Sequence, residues 1–247
     1  MMVRWLLKIV MFIIVLTFVH AYAADLDVEG LLKKVDDVRV PNTDFSVEVT
    51  IETESGGSQR VSKYEVMMND KRDALVKTIY PPNEKGQVML MKGKDFWVYL
   101  PNVDQPVRLS LSQRLTGQVS NGDIARMNFS GDYKAALLRI EEADGKRIAV
   151  LELNKVADWV TYEKIILWVT ITDARPLKAE FYTGTGILLK TCQYERYGEL
   201  TGAIRPLHLT FTDAIKKGEK SVLTYSNMKI RKLPGKYFIK DYIKRLD

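Results

Sequence analysis

The stretch RLTGQVSNGDIARMNFSGDY (residues 114–133) gathers the turn formers Gly117, Asn121, Gly122, Asn128 and Gly131 with two acids, Asp123 and Asp132. It interrupts a chain that otherwise alternates apolar and polar residues. A phosphate loop, a metal loop, a catalytic loop and a mobile lid over a binding site are the chemistries to weigh. Gly117 and Gly122 have the spacing of a phosphate loop, which also needs Lys and then Ser or Thr after the second glycine to meet phosphate and magnesium. Asp123 and Ile124 stand there instead, and an acid in that place repels phosphate. A calcium loop needs oxygen ligands at alternate positions and a closing glutamate. Asp123 and Asp132 lack that spacing, so no metal and no cofactor is expected. The sequon at Asn128 is short enough to arise by chance.

Other reactive side chains are as sparse. Beyond the leader the one histidine is His208, in RPLHLTF, where alternation puts Leu207, Leu209 and Phe211 on one face and His208 on the other. That is a rim histidine. Cys192 is the single cysteine, which rules out an intramolecular disulfide; its place on an apolar strand face makes it a buried, inert thiol. Glu141 and Glu142 are adjacent on a strand and point opposite ways, so they cannot act as a carboxylate pair. No G-x-S-x-G elbow and no H-E-x-x-H pattern occurs. An enzyme is not expected.

The elements that carry these residues are mostly strands. Residues 26–38 place Val28, Leu31, Leu32, Val35 and Val38 on one helical face, with Asp25 or Asp27 to cap the start and Pro41 to end it. The period then changes to two: DFSVEVTIETE sets Phe45, Val47, Val49 and Ile51 against Ser46, Glu48, Thr50 and Glu52. Turn signals recur at SGGS (55–58), NDKR (69–72), KGKD (92–95), ADGK (143–146), TGTG (183–186) and KKGE (216–219). Such short connections join antiparallel neighbours.

Three hairpins can be registered from their turns. Folding at Gly56-Gly57 sets Phe45, Val47 and Val49 opposite Met68, Val66 and Tyr64. Folding at Asp144-Gly145 sets Ile140 opposite Ala149 and Leu138 opposite Leu151, with Leu153 on the same face. A two-residue loop at Gly184-Thr185 pairs Phe181 with Leu188 and Leu177 with Cys192. Apolar meets apolar in each, as partners sharing a face should. The strands QVMLM (87–91), DFWVYL (95–100) and KIILWV (164–169) are apolar on both faces and need cover on both. A long sheet curls, so its inner face becomes a trough, and KYFIKDYIKRL, with Ile239, Ile243 and Leu246 on one stripe, is expected to help close it.

Arg4 and Lys8 precede the apolar run IVMFIIVLTFV and an Ala21-Tyr22-Ala23 site. That is a secretory leader over residues 1–23, cleaved before Ala24. No cysteine stands near the site, so lipid modification is not expected, and the mature chain of residues 24–247 is read as one periplasmic domain. The net charge of +6 falls to about +4 once Arg4 and Lys8 leave, too mild for nucleic acid. The closing run KIRKLPGKYFIKDYIKR, with seven bases against one acid, is a solvated face or a dock for anionic headgroups or an acidic partner.

Three stretches carry a resemblance: GQVMLMKGKDFWVYLPNVDQPVRLSLSQRLTGQVSNGDIARMNFSGDY (86–133), RPLKAEFYTGTGILLKTCQYERYG (175–198) and RPLHLTF (205–211). The chain resembles the outer-membrane lipoprotein-sorting superfamily in its broad LolA-like branch. The resemblance implies a mainly β fold, a curled antiparallel half-barrel of about 11 strands, with an N-terminal helix and short helices closing the concave face. It also implies a carrier of lipoprotein acyl chains or other lipids towards the outer membrane. The alternative is an accessory subunit of an RND-type lipid exporter. Expected partners are a lipid or an acylated lipoprotein, an inner-membrane RND transporter and a peripheral membrane surface, with the carrier itself a monomer.

The site expected on this reading is an apolar trough of Phe45, Val47, Val49, Tyr64, Val66, Met68, Leu138, Ile140, Leu151, Leu153 and Phe181. Within residues 114–133, Asp123 would start a helical turn that brings Ile124, Met127 and Phe129 over the trough as a lid. An immobile structural crossing is the alternative for that segment. Met67, Met68, Met89 and Met91 would suit adaptable packing around varied cargo.

Overall fold

A computed structural model describes residues 26–245 apart from positions 102 and 104. The expected leader, its cleavage site and Leu246 lie outside the described residues. Helix α1 (Val28–Arg39) precedes β1 (Phe45–Ser55), β2 (Ser58–Met68), β3 (Ala74–Tyr80), β4 (Val88–Lys92), β5 (Asp95–Tyr99) and β6 (Val107–Arg108). A crossover holds β7 (Arg114–Thr116), β8 (Val119–Ser120), α2 (Asn121–Ala125) and α3 (Phe129–Asp132). Then come β9 (Tyr133–Ala143), β10 (Lys146–Lys155), β11 (Lys164–Thr170), β12 (Pro176–Tyr182), β13 (Leu188–Leu200), β14 (Ala203–Asp213) and β15 (Lys220–Ile230). Two 3₁₀ turns follow, Gly235–Phe238 and Lys240–Arg245.

Thirteen strands form one open antiparallel sheet in the order β6-β5-β4-β3-β2-β1-β15-β14-β13-β12-β11-β10-β9, and β7 and β8 pair separately. The expected eleven or so strands are therefore too few. The chain walks outwards from β1 to the edge strand β6, crosses to the opposite edge at β9, and walks back until β15 pairs with β1. The soft stretch of the sequence is the bridge between the two edges. Its helix α2 packs against β3, while Asp123 of α2 reaches Lys190 of β13 at 2.6 Å. Those strands are five steps apart in the order, about 24 Å in a flat sheet, whereas a helix of this size is only about 7.5 Å long. The sheet must curl around the bridge to make both contacts.

The β1–β2 register matches the sequence expectation: Phe45 faces Met68, Val47 faces Val66 and Val49 faces Tyr64. The β9–β10 hairpin departs from it. Ile140 faces Ala149, but a bulge follows and Leu151 faces Leu137. An extra residue on one strand reverses its alternation, so Leu138 turns outwards and is 47% exposed. At β12–β13 the loop is one residue longer than expected, closed by the Thr183 and Ile187 pair with Gly186 left-handed at φ +83°. A further irregularity follows, so Phe181 faces Lys190 and Cys192 faces Ala179. The total shift is two residues, which preserves the faces.

Each face of the sheet has its own cover. The inner face is a single apolar cluster that includes Val47, Val66, Met89, Leu151, Leu167 and Phe181, packed under Leu31, Leu32 and Val35 of α1 and under the bridge. Asp27 caps α1, its carboxylate accepting the Gly30 N–H at 2.8 Å. On the outer face, Met67, Leu75, Val88, Leu90 and Tyr99 form a second cluster with Leu233, Phe238 and Ile243. The C-terminal turns therefore cover the outer side of β2–β5 and do not close the trough. Ile239, expected on their buried stripe, is 48% exposed. Strand β11 solves the same problem differently: Ile165, Leu167 and Val169 are buried inside, while Trp168 is only partly covered, with Lys178 Nζ 4.6 Å from its ring centre.

Candidate functional site

The inner face collects Phe45, Val47, Val49, Tyr64, Val66, Met68, Leu151, Leu153 and Phe181 into one buried cluster, joined from above by Ile124, Met127 and Phe129 of the bridge. Leu138 and Ile140 do not belong to it: the first is on the outside and the second is half-buried beyond the cluster. Leu137, Ala135 and Tyr133 are the β9 residues that do reach it. Helix α2 starts at Asn121, not at Asp123, which frees Asp123 for another task.

The bridge is fixed to the sheet by polar contacts at both ends. Lys190 lies among the inner-face residues of β13 and donates from Nζ to Asp123 Oδ2 and to the Gln118 carbonyl, each at 2.6 Å. Both side chains of the pair are nearly sealed, at 6% and 7% exposure. Asp123 also accepts the Ser120 N–H and the Tyr162 hydroxyl, both at 2.7 Å. Burial, with the Asp123 charge next, pushes the Tyr162 hydroxyl well above its ordinary pKa, so it stays a donor. Rings of Tyr162, Phe181 and Phe211 surround the ammonium at 4.7–5.5 Å, close enough for cation–π attraction.

At the other end, Asp36 of α1 accepts the backbone N–H groups of Phe129 (2.9 Å) and Ser130 (2.8 Å). It also pairs with Arg39 at 3.3 Å, whose guanidinium lies 3.9 Å from the centre of the Phe129 ring. Arg126 forks onto Asp132 and donates to the Gly93 carbonyl at 2.7 Å. Burial pushes the Asp132 carboxyl up and Arg126 opposes it.

The two glycines that imitated a phosphate loop serve close approach instead. A Cβ on Gly117, left-handed at φ +52°, would lie 2.2 Å from Thr53 Oγ1 and 2.3 Å from Ser221 Oγ. One on Gly122 would lie 1.9 Å from Thr161 Oγ1. The Ser221 hydroxyl accepts the Gln118 N–H at 2.9 Å, and the hydroxyls of Ser62 and Thr116 lie 3.5 Å apart.

Beneath the bridge the described residues leave small cavities. A cavity of about 30 Å³ remains between Arg39, Phe129, Tyr162 and Tyr194, against the roughly 300–1,000 Å³ of ordinary ligand sites. A second cavity of about 160 Å³ runs between Arg114 and Ile215 towards Lys190. Sequence reasoning missed Lys190, Asp36 and the second task of Asp123, although the signal was present. In LLKTCQY, alternation puts Lys190 on the face of Cys192 and Tyr194, and Asp36 falls on the apolar stripe of its helix between Leu32, Val35 and Arg39.

An open antiparallel sheet, apolar on its inner face and roofed by its own helix and edge-to-edge bridge, defines a class of single-sheet folds. A family model described as an uncharacterized protein matches residues 70–245, and no curated protein matches the chain. A LolA superfamily protein from Nitrosomonas europaea is 48% identical, with a TM-score of 0.84 over 88% of this chain and 99% of its own. A domain from Vibrio parahaemolyticus described as an outer membrane lipoprotein-sorting protein shares the fold at 20% identity and a TM-score of 0.75, over 88% of this chain and 98% of its own. A DUF1329 family protein from Desulfovibrio piger does so at 22% and 0.74, over 87% and 97%. The chain belongs to the LolA superfamily.

Proposed function

We propose that this protein is a periplasmic carrier that shelters acyl chains, of lipoproteins or of free lipids, against the inner face of its sheet. The observation that carries this reading is the nature of the roof. A large apolar face is covered by a bridge held through a few polar anchors, where a second sheet would seal it permanently. An acyl chain in water costs about 0.8 kcal/mol per methylene; the inner face removes that cost without directional contacts, so release remains easy. The name of the Vibrio relative, a lipoprotein-sorting domain, supports the same reading. With about 30 Å³ free beside Phe129 and Tyr162 and about 160 Å³ beside Lys190, each below the size of an ordinary ligand site, an acyl chain reaches the inner face beneath the bridge only when the bridge moves.

The experiment locks the bridge. Ser62 of β2 and Thr116 of β7 face each other with hydroxyls 3.5 Å apart, so Ser62→Cys/Thr116→Cys brings two sulfurs within reach of a 2.05 Å bond. Uptake of a fluorescent fatty acid is measured in the oxidised and reduced forms. Binding in the reduced form, lost at least tenfold on oxidation, is the expected result. Equal binding in both forms removes the gate. No binding in either, with no lipid co-purifying with the native protein, removes the carrier reading and leaves that of an adaptor that binds another protein.

A further inference from the structure

Among the described residues, the counter-charge and the hydrogen-bond acceptor that the Lys190 ammonium touches both belong to the bridge. Its ammonium donates to Asp123 Oδ2 and to the Gln118 carbonyl, and outside the bridge it meets the rings of Phe181 and Phe211 on the sheet and of Tyr162 in the β10–β11 loop. Its cross-strand partners are Phe181 and Asp213; one Asp213 oxygen accepts the Ile215 and Lys216 N–H groups and the other pairs with Arg114 of the bridge, a bond that lifting the bridge would also break. Lifting the bridge therefore takes away the one anion bonded to Lys190 among the described residues and leaves the ammonium among aromatic rings, with its cross-strand neighbour Asp213 as the acid that stays on the sheet. Opening around an uncharged chain strands that charge, which is strongly unfavourable. Opening around an anion does not.

We infer that the cargo is an anionic amphiphile, whose carboxylate or phosphate replaces Asp123 at Lys190 while its acyl chain lies along the inner face. The inference rests on the carrier reading above. Space for the exchange is already present. The cavity of about 160 Å³ beside Lys190 is lined by Arg114, Ser120, Tyr162, Leu189 and the Arg114-paired Asp213, so an anionic head can approach the ammonium before Asp123 leaves. Arg114, with its side chain 57% exposed, stands at the rim, paired with Asp213 at 3.0 Å. Asp123 is on this account a built-in competitor: it holds the roof shut until a better-placed anion arrives, and any interaction that favours the open state must exceed its own.

The test compares palmitate with its uncharged methyl ester on the full mature protein, with lysophosphatidate as the phosphate-headed lipid and inorganic phosphate as the headless anion. Wild type should bind palmitate and lysophosphatidate at least tenfold more tightly than the ester, and inorganic phosphate weakly. Lys190→Met leaves Asp123 buried without its partner, so Lys190→Met/Asp123→Asn is made beside it to keep the pair neutral. The double variant should bind acid and ester alike. Asp123→Asn alone, which removes the competitor, should strengthen palmitate binding. An ester bound as tightly as palmitate by wild type overturns the anion site while the carrier reading stands. An acid-over-ester preference retained in the double variant does the same. Inorganic phosphate bound as tightly as lysophosphatidate would make Lys190 a site for free anions and also overturn the proposal. If neither acid nor ester binds, the carrier reading fails and this inference with it.

Discussion

Asp36 shows how much one carboxylate can organise. It accepts two N–H groups at the start of α3, pairs with Arg39, and so ties the N-terminal helix to the bridge. Asp36→Ala would leave Arg39 nearly buried without its partner and two backbone donors unmet. A broken buried pair costs about 3–5 kcal/mol, so the denaturant midpoint should fall by an amount of that order; a change under about 1 kcal/mol would show that Asp36 is not an anchor. Gly117→Ala adds a methyl group where Thr53 and Ser221 already stand, at a φ that disfavours any side chain. Its expected loss is about 1–3 kcal/mol, and restoring Gly117 should restore the melting temperature. Polar residues at apolar positions were legible in the sequence as oddities. Their partners were not, because Asp123 and Lys190 are 67 residues apart and meet only once the sheet has curled.

Among the elements, the hairpin β1–β2 was fully readable, since two left-handed glycines leave one register open to eleven-residue strands. Hairpin β9–β10 was readable only as far as its bulge. Leu137 and Leu138 are chemically equal, so nothing local says which one turns inwards; the packing of Leu137 under the helix side of the sheet decides. The C-terminal turns were legible as apolar and basic, but not as belonging to the outer face. Their role predicts a specific failure. A chain ended at Lys232 would uncover Met67, Leu75, Val88, Leu90 and Tyr99. Each such side chain contributes about 1.5–3 kcal/mol when fully covered, so the shortened protein should melt many degrees lower and bind a hydrophobic dye at rest. Acyl-chain binding by whatever fraction stays folded should persist, because the inner face is untouched. A truncated protein with unchanged melting would mean the turns do not hold the outer cluster.

At the scale of the whole molecule, Cys192 reports on the roof. It is the single cysteine, it is 1% exposed, and burial pushes its thiol well above the ordinary range. Thiolate is therefore scarce and hard to reach, and a thiol reagent should label the native protein slowly. If labelling occurs when the bridge lifts, Asp123→Asn should accelerate it several-fold at denaturant concentrations where circular dichroism is unchanged. Identical rates in both proteins would mean the thiol is reached only through unfolding of the sheet.

The route of the chain has a geometric consequence. Residues 109–132 connect the two edge strands of a sheet that is otherwise continuous in hydrogen bonds from β6 to β9. Roof and floor together make a closed hoop of polypeptide. A guest beneath the roof is thus encircled, and it can be threaded in or drawn out only through the open ends of the hoop unless strands part. A hoop limits the girth of what passes and not its length. Straight acyl chains should therefore be accepted with affinities that rise smoothly with length, while a bulky ring or branch placed mid-chain should be refused, even when its apolar area is greater.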